Sequence, residues 1–252
     1  MTDLSSDIAI VTGASSGLGA LFAETLASAG AHVVCAARRM DRLEELTLKL
    51  KGNGQQATAM AFDATDNNAA ETLVSNVIKQ VGMPTILINN AGLAHSGRAE
   101  RMVQEDFDGL MQVNLKMPWL LSQTCARHWI DNAPSNGRIV NIASILAHRV
   151  QTGVSAYCVS KAAILHMTKA HAREWARYGI HVNALSPGYF LTDINRSYWD
   201  TDMGKAERDR LPRQRIGEPD DLAKTILYLT DPDNDYLNGS EIILDDGQSL
   251  AI

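Results

Sequence analysis

The chain has 252 residues, of which 45% are hydrophobic and 21% charged, and its formal net charge is −6. That length is about the upper size for one hydrophobic core, so a single domain spanning 1–252 is the simplest organisation. The acidic balance argues against nucleic acid and anionic membrane as partners, and no apolar run approaches the ~20 residues of a membrane span.

The first element is the β-rich segment 8–12, followed by Gly13-Ala14-Ser15-Ser16-Gly17-Leu18-Gly19 and a helical stretch over 17–28. Strand, glycine turn and helix form the context in which backbone N–H groups and a helix N-terminus hold a pyrophosphate. Gly13 suits the tight turn, Gly17 a close approach of the cofactor, and Gly19 close packing of helix on strand. Ser15, Ser16 and Leu18 share the loop and are expected at the same site. The spacing is G-x-x-x-G-x-G rather than G-x-G-x-x-G, and a plain glycine-rich turn is the alternative.

The second strand, 32–37, runs into Arg38 and Arg39. An NAD-preferring site places an acid about 20 residues past the glycine turn, on the ribose 2′-hydroxyl. Ala37 stands there instead. Two guanidinium groups match a 2′-phosphate in charge and fork geometry, so the expectation is NADP(H) rather than NAD(H). Two solvated arginines are the alternative. Asp41 and Glu44 resemble a capping box at the start of a helix over 42–50.

The third strand, 56–62, ends at Asp63-Ala64, and a helix follows over 67–81. The fourth, 85–89, ends at Asn89-Asn90-Ala91-Gly92. A helix is expected over 104–129 and a buried strand over 138–144, ending at Ser144. A hydroxyl at the C-terminal end of a strand lies where open α/β sheets place their ligands.

A helix over 156–178 carries Tyr157 and Lys161. A spacing of four puts them side by side on one face. A fixed ammonium favours phenolate, so Tyr157 is expected to titrate below the usual ~10. Alanines on several faces of this helix suggest burial all round, with one face on the sheet and the other on a second subunit. The sixth strand, 181–186, leads to Pro187-Gly188, a polar stretch from Thr192 follows, and helix 220–229 and strand 241–244 close the chain. Strands alternating with helices imply a parallel sheet covered on both faces.

Thr12-Gly13-x-x-x-Gly17-x-Gly19, Asn89-Asn90-Ala91-Gly92, Ser144, Tyr157-x-x-x-Lys161 and Pro187-Gly188, in this order, resemble the short-chain dehydrogenase/reductase family. The likeness covers about 7–247 and is closest in kind to NADP(H)-dependent carbonyl and 3-ketoacyl-type reductases. It implies an α/β Rossmann fold with seven parallel strands in the order 3-2-1-4-5-6-7. It also implies a homotetramer, or failing that a homodimer, in the cytoplasm. Asp63 and Ala64 would meet the adenine, although Asp63 also suits a strand-end turn. Asn90, Ala91 and Gly92 would lie along the adenosine ribose or shape its turn, and Pro187, Gly188 and Thr192 would sit by the nicotinamide. Asn114 matches the family's catalytic asparagine, which holds a proton-relaying water near Lys161; a core asparagine bonded to backbone is the alternative.

The implied reaction is hydride transfer between NADP(H) and a ketone or secondary alcohol. Tyr157 delivers the proton, Ser144 holds the oxygen, and Lys161 assists Tyr157 and grips the nicotinamide ribose. The alternative is an NAD-dependent alcohol or sugar-alcohol dehydrogenase working mainly in oxidation. The expected substrate contacts are His95, Ser144, Leu146, Tyr157, Tyr189 and Trp199, with the segment 189–214 as a substrate loop. Three cysteines without C-x-x-C spacing point to reduced thiols, and the seven histidines form no metal-ligand pattern, so no metal is expected.

Overall fold

The computed structural model describes residues 2–132, 136–192 and 195–250. Seven strands form one parallel sheet: β1 (Ile8–Thr12), β2 (His32–Ala37), β3 (Ala57–Ala61), β4 (Ile86–Asn89), β5 (Arg138–Ile142), β6 (His181–Pro187) and β7 (Glu241–Leu244). Their order is β3-β2-β1-β4-β5-β6-β7, as expected. The reversal between β1 and β4 opens a crevice at the strands' C-terminal ends.

Alternate residues of each strand enter opposite cores, as a two-residue side-chain period requires. Val11, Val33, Ile88 and Val140 face one side, where they meet Phe22 and Leu26 of α1 (Gly17–Ser28), Leu43 and Leu50 of α2 (Met40–Gly52), and Ile226 of α9 (Asp220–Thr230). Ile10, Val34, Leu87 and Ile139 face the other, against Leu73 and Val77 of α3 (Ala69–Gln80) and Leu121 and Trp129 of α5 (Met117–Asp131). The long helix α6 (Ser155–Trp175) packs Ile164 and Met167 on this second side with Ala143 and Ala184. A 3₁₀ turn (Ala176–Tyr178) extends α6 to the expected end.

Three details differ from expectation. Helix α2 begins at Met40, so Asp41 sits in its first turn, where a carboxylate favours the helix dipole, and makes no cap. The single helix expected over 104–129 is α4 (Gln104–Met111), a π-helical turn (Gln112–Lys116) and α5. Pro118 explains the break, because it has no N–H to offer the Asn114 carbonyl four residues earlier, and its ring crowds that oxygen. The polar stretch after Thr192 contains two short helices, α7 (Arg196–Trp199) and α8 (Asp202–Arg208). Residues 193 and 194 of the expected substrate loop lie outside the described residues.

Candidate active site

The β1–α1 turn is shaped by its glycines. Gly13 (φ +69°) and Gly17 (φ +56°) both occupy the left-handed region that side chains disfavour. At Gly19 a Cβ would stand 2.3 Å from the Gly13 carbonyl oxygen and 2.6 Å from Asn90 Nδ2. Only glycine lets α1 approach the turn this closely. Thr12 joins the turn to the end of β4: its hydroxyl donates to the Ile88 carbonyl (3.2 Å) and accepts from the N–H groups of Asn90 (3.0 Å) and Ala91 (3.1 Å). Asn90 Nδ2 donates back to the Thr12 carbonyl at 2.9 Å. The only sign of this Thr12 role in the sequence is a hydroxyl at the last position of the strand before the glycine turn.

These pieces wall a cavity of about 590 Å³ across the C-terminal ends of the strands. Every residue expected to touch the cofactor lines it, from Gly13 through Arg38, Asp63 and Asn90 to Thr192. Ala37, which stands where an NAD site has its acid, joins them, as do Phe62, Thr65, Leu93, Val113 and Ile142. Ala37, Phe62 and Ile142 are apolar residues at strand ends that sequence alone assigns to the core. Arg38 and Arg39, consecutive in the chain and both exposed, line one end. Arg39 donates to Ser15 Oγ (3.0 and 3.2 Å) and Ser16 Oγ (2.7 Å), bracing the glycine turn. Asp63 Oδ1 accepts from the Thr65 N–H (3.0 Å) and hydroxyl (2.8 Å). Those bonds, led by the backbone one and helped by the Arg38 charge, hold its carboxyl below the usual range.

At the other end of the cavity lie Ser144, Tyr157 and Lys161. Ser144 caps a 3₁₀ turn (Ile145–Ala147) after β5, with its Oγ accepting the Leu146 N–H at 3.2 Å. Tyr157 and Lys161 project from the first turns of α6. Lys161 Nζ donates to the Ile142 carbonyl at 2.8 Å and lies 5.5 Å from the centre of the Tyr157 ring. Burial lowers the Lys161 pKa to about 8.

The expected lowering of the Tyr157 pKa is not what the structure gives. Burial raises it, and the hydrogen bond with the Ser144 hydroxyl offsets that only in part. The physical reason is placement: the ammonium sits over the ring and bonds a backbone carbonyl rather than the phenol oxygen. Desolvation of the phenolate therefore outweighs the cation.

Asn114 is buried in the π-helical turn. Its Nδ2 donates to the Leu93 carbonyl (2.9 Å) and Ser160 Oγ (3.1 Å), and its Oδ1 accepts from the Leu93 N–H (2.7 Å). Its amide thus fixes the backbone beside Gly92, a position from which a Cβ would lie 3.7 Å from Lys161 Nζ.

Of the expected substrate contacts, Ser144 and Tyr157 line the cavity, whereas His95, Leu146, Tyr189 and Trp199 do not. His95 Nε2 lies 3.5 Å from Asp106. Trp199 is buried edge-on against Tyr189 (5.2 Å) and Tyr198 (5.0 Å), so its ring is a packing element of the 189–214 segment. His148, another histidine near the site, bonds Glu241. Among the described residues no cluster of three His, Cys, Asp or Glu side chains is arranged to hold a metal ion, and no helix is long and apolar enough to cross a membrane.

A cradle that an added Cβ would fill at Gly19, loop hydroxyls, two consecutive arginines and a Ser-Tyr-Lys set with its lysine buried fit a phosphorylated dinucleotide. The family model for short chain dehydrogenase matches residues 7–203, and the chain belongs to this family of hydride-transferring oxidoreductases. It is 32% identical to gluconate 5-dehydrogenase of Gluconobacter oxydans over 99% of this chain and 97% of that protein. It is 34% identical to an NAD-dependent glycerol dehydrogenase of Listeria innocua, covering 98% and 96% of the two chains. The crystal structure of a gluconate 5-dehydrogenase from Burkholderia cenocepacia, in complex with NADP and tartrate, superposes with a TM-score of 0.93 at 31% identity, over 99% of this chain and 98% of that one.

Proposed function

We propose that this chain transfers a hydride between NADP(H) and a ketone or secondary alcohol, acting as a carbonyl reductase. The observation that carries the reading is the shared cavity: Ser144, Tyr157 and Lys161 wall one end, and the glycine turn with Arg38 and Arg39 walls the other. When bound, the nicotinamide supplies or receives the hydride. The chain's own residues manage the oxygen. Ser144 donates a hydrogen bond to it, and Tyr157 gives it a proton in reduction or takes one in oxidation. Lys161 and the Asn114-braced turn support that proton transfer, and Lys161 grips the nicotinamide ribose. The glycine turn seats the pyrophosphate, Asp63 and Ala64 the adenine, and Asn90 and Ala91 its ribose. Gly92 shapes the turn beside them, and Pro187, Gly188 and Thr192 border the nicotinamide half.

Two supports favour the 2′-phosphorylated cofactor. Arg38 and Arg39 follow β2 where an NAD site has an acid, and the Burkholderia relative is a complex with NADP. The kinship with a glycerol dehydrogenase named as NAD-dependent favours a second reading, an alcohol or sugar-alcohol dehydrogenase working in oxidation. Affinities of wild type and Arg38→Ala for both cofactors separate the two: loss of NADP(H) binding alone supports the first, and unchanged preference for NAD(H) the second. The three free, buried cysteines suit a reducing, cytoplasmic setting. We read the whole chain as one catalytic domain, with 189–214 bordering the substrate.

The test is NADPH consumption on a panel of ketones that includes sugar-acid ketones. Tyr157→Phe should lower turnover by about 10²- to 10⁴-fold. Full activity in that variant rejects the mechanism.

A further inference from the structure

Outside the cavity, one carboxylate is gripped from two directions. Glu241, the first residue of β7, accepts from His148 Nε2 at 2.7 Å on Oε1 and 2.9 Å on Oε2. The same Oε1 accepts the hydroxyl of Ser186, a fully buried residue of β6. His148 closes the 3₁₀ turn that Ser144 opens, and Ser186 immediately precedes Pro187 and Gly188. Both ends of the grip therefore lead within a few residues to the cavity wall.

The turn between Ser144 and His148 is stiff enough to transmit position. The Ala147 N–H donates to the Ser144 carbonyl (2.9 Å), the His148 N–H to the Ile145 carbonyl (3.0 Å), and the Leu146 N–H to Ser144 Oγ (3.2 Å). Sideways motion of His148 thus carries Ser144 with it. An exposed ion pair adds little to stability. This one differs because the Glu241 side chain is only 15% exposed and its second partner lies in the core. One imidazole nitrogen shared between both carboxylate oxygens centres the ring on the Glu241 carboxylate.

We propose that Glu241 and His148 are positioning residues for the reaction: the Glu241 carboxylate holds the Ser144 turn against the β6 end, and so sets where the Ser144 hydroxyl meets the reacting oxygen. This rests on the reading of Ser144 as the oxygen-holding group. A displacement of about 1 Å at such a group costs about 10²-fold in rate.

The experiment compares wild type, Glu241→Ala, Glu241→Gln, His148→Ala and the double alanine variant. Glu241→Ala should lose about 10- to 100-fold in kcat while its NADP(H) dissociation constant stays near wild type and its unfolding midpoint falls only by what the orphaned Ser186 hydroxyl costs. Glu241→Gln, which keeps an acceptor for Ser186, should recover part of the loss. The double variant should be no slower than the worse single one. Amide exchange at 145–148 should quicken in Glu241→Ala without change in the helix that carries Tyr157. Unchanged exchange there overturns the proposal whether or not a substrate has been found. Unchanged kcat overturns it too, and so does a loss matched by weakened cofactor binding and by stability lowered beyond that Ser186 cost, which marks a merely structural contact. The underlying reading fails differently: Ser144→Ala would then retain full kcat.

Discussion

The Lys161 ammonium is a buried charge with one backbone acceptor, and folding therefore works against its protonation. Its pKa falls from 10.5 to about 8 through desolvation. Between those values the unfolded chain binds a proton that the folded chain does not, so this group makes stability rise with pH over that window. The difference in unfolding free energy, wild type minus Lys161→Met, should grow by on the order of 3 kcal/mol between about pH 7 and pH 11. Denaturant melts across that range measure it, and a flat difference shows that Lys161 titrates normally in the fold. Asp246 makes a second residue-scale case. It adopts φ +53°, where non-glycine residues are strained, and its carboxylate meets Arg213 (3.0 Å) and Arg215 (2.6 Å). Arg215 is the main reason its carboxyl is held below the usual range. Asp246→Ala keeps the strain and loses both partners, whereas Asp246→Gly loses the partners but relieves the strain. In thermal melts the alanine variant should therefore fall below both wild type and the glycine variant. An alanine variant as stable as the glycine one refutes the strain argument.

At the scale of elements, the close approach of α1 to the β1 turn depends on one missing methyl group. An added Cβ at Gly19 meets backbone oxygen at 2.3 Å, which no flexible side chain can yield to. Gly19→Ala should weaken NADP(H) binding by about tenfold or more, because the helix N-terminus that faces the phosphates must shift. Fluorescence titration with NADPH checks this, and wild-type affinity sinks it. The alternation of strand and helix was readable because each strand is a short, nearly continuous apolar run and nearly every connection, the Arg38-Arg39 one excepted, carries glycine, proline or asparagine. The dinucleotide site was readable because its residues are local to strand ends. The π-helical turn at Asn114 was missed, since the apolar pattern runs through it unbroken; Pro118 was the available sign. The Glu241–His148 grip had no sign at all, because 93 residues separate its partners and nothing local marks either one. The titration of Tyr157 was misjudged for a related reason. Spacing puts Lys161 on the same face, but the Ile142 carbonyl from another element decides where the ammonium points.

For the molecule as a whole, the face opposite the sheet contact of α6 calls for an occupant. Met111, Leu115, Trp119, Ala163, Met167 and Ala170 border an apolar groove between the 104–131 helical segment and α6. Nearby, Val159, Phe107 and Val103 are also exposed, at 55, 40 and 54%. A mainly apolar groove with exposed apolar side chains on the same elements suits association with another chain. The two elements that form it are helical, so two copies related by a twofold axis would pack the same helices against each other. We read this face as the interface between copies of a homotetramer, with a homodimer as the minimal assembly. Burial by a partner would also account for an α6 that is apolar and small on most of its surface. Trp119 lies at the groove's edge, and its ring meets the buried His171 at 4.5 Å. Val159 stands clear of the core, so changing it disturbs the single chain little. Val159→Lys and Trp119→Lys should each shift the sedimentation coefficient of the native protein towards a smaller species. The far-ultraviolet circular dichroism of Val159→Lys should stay unchanged. A wild-type protein that sediments as a monomer, or variants that keep the wild-type mass, would leave this apolar face without the proposed partner.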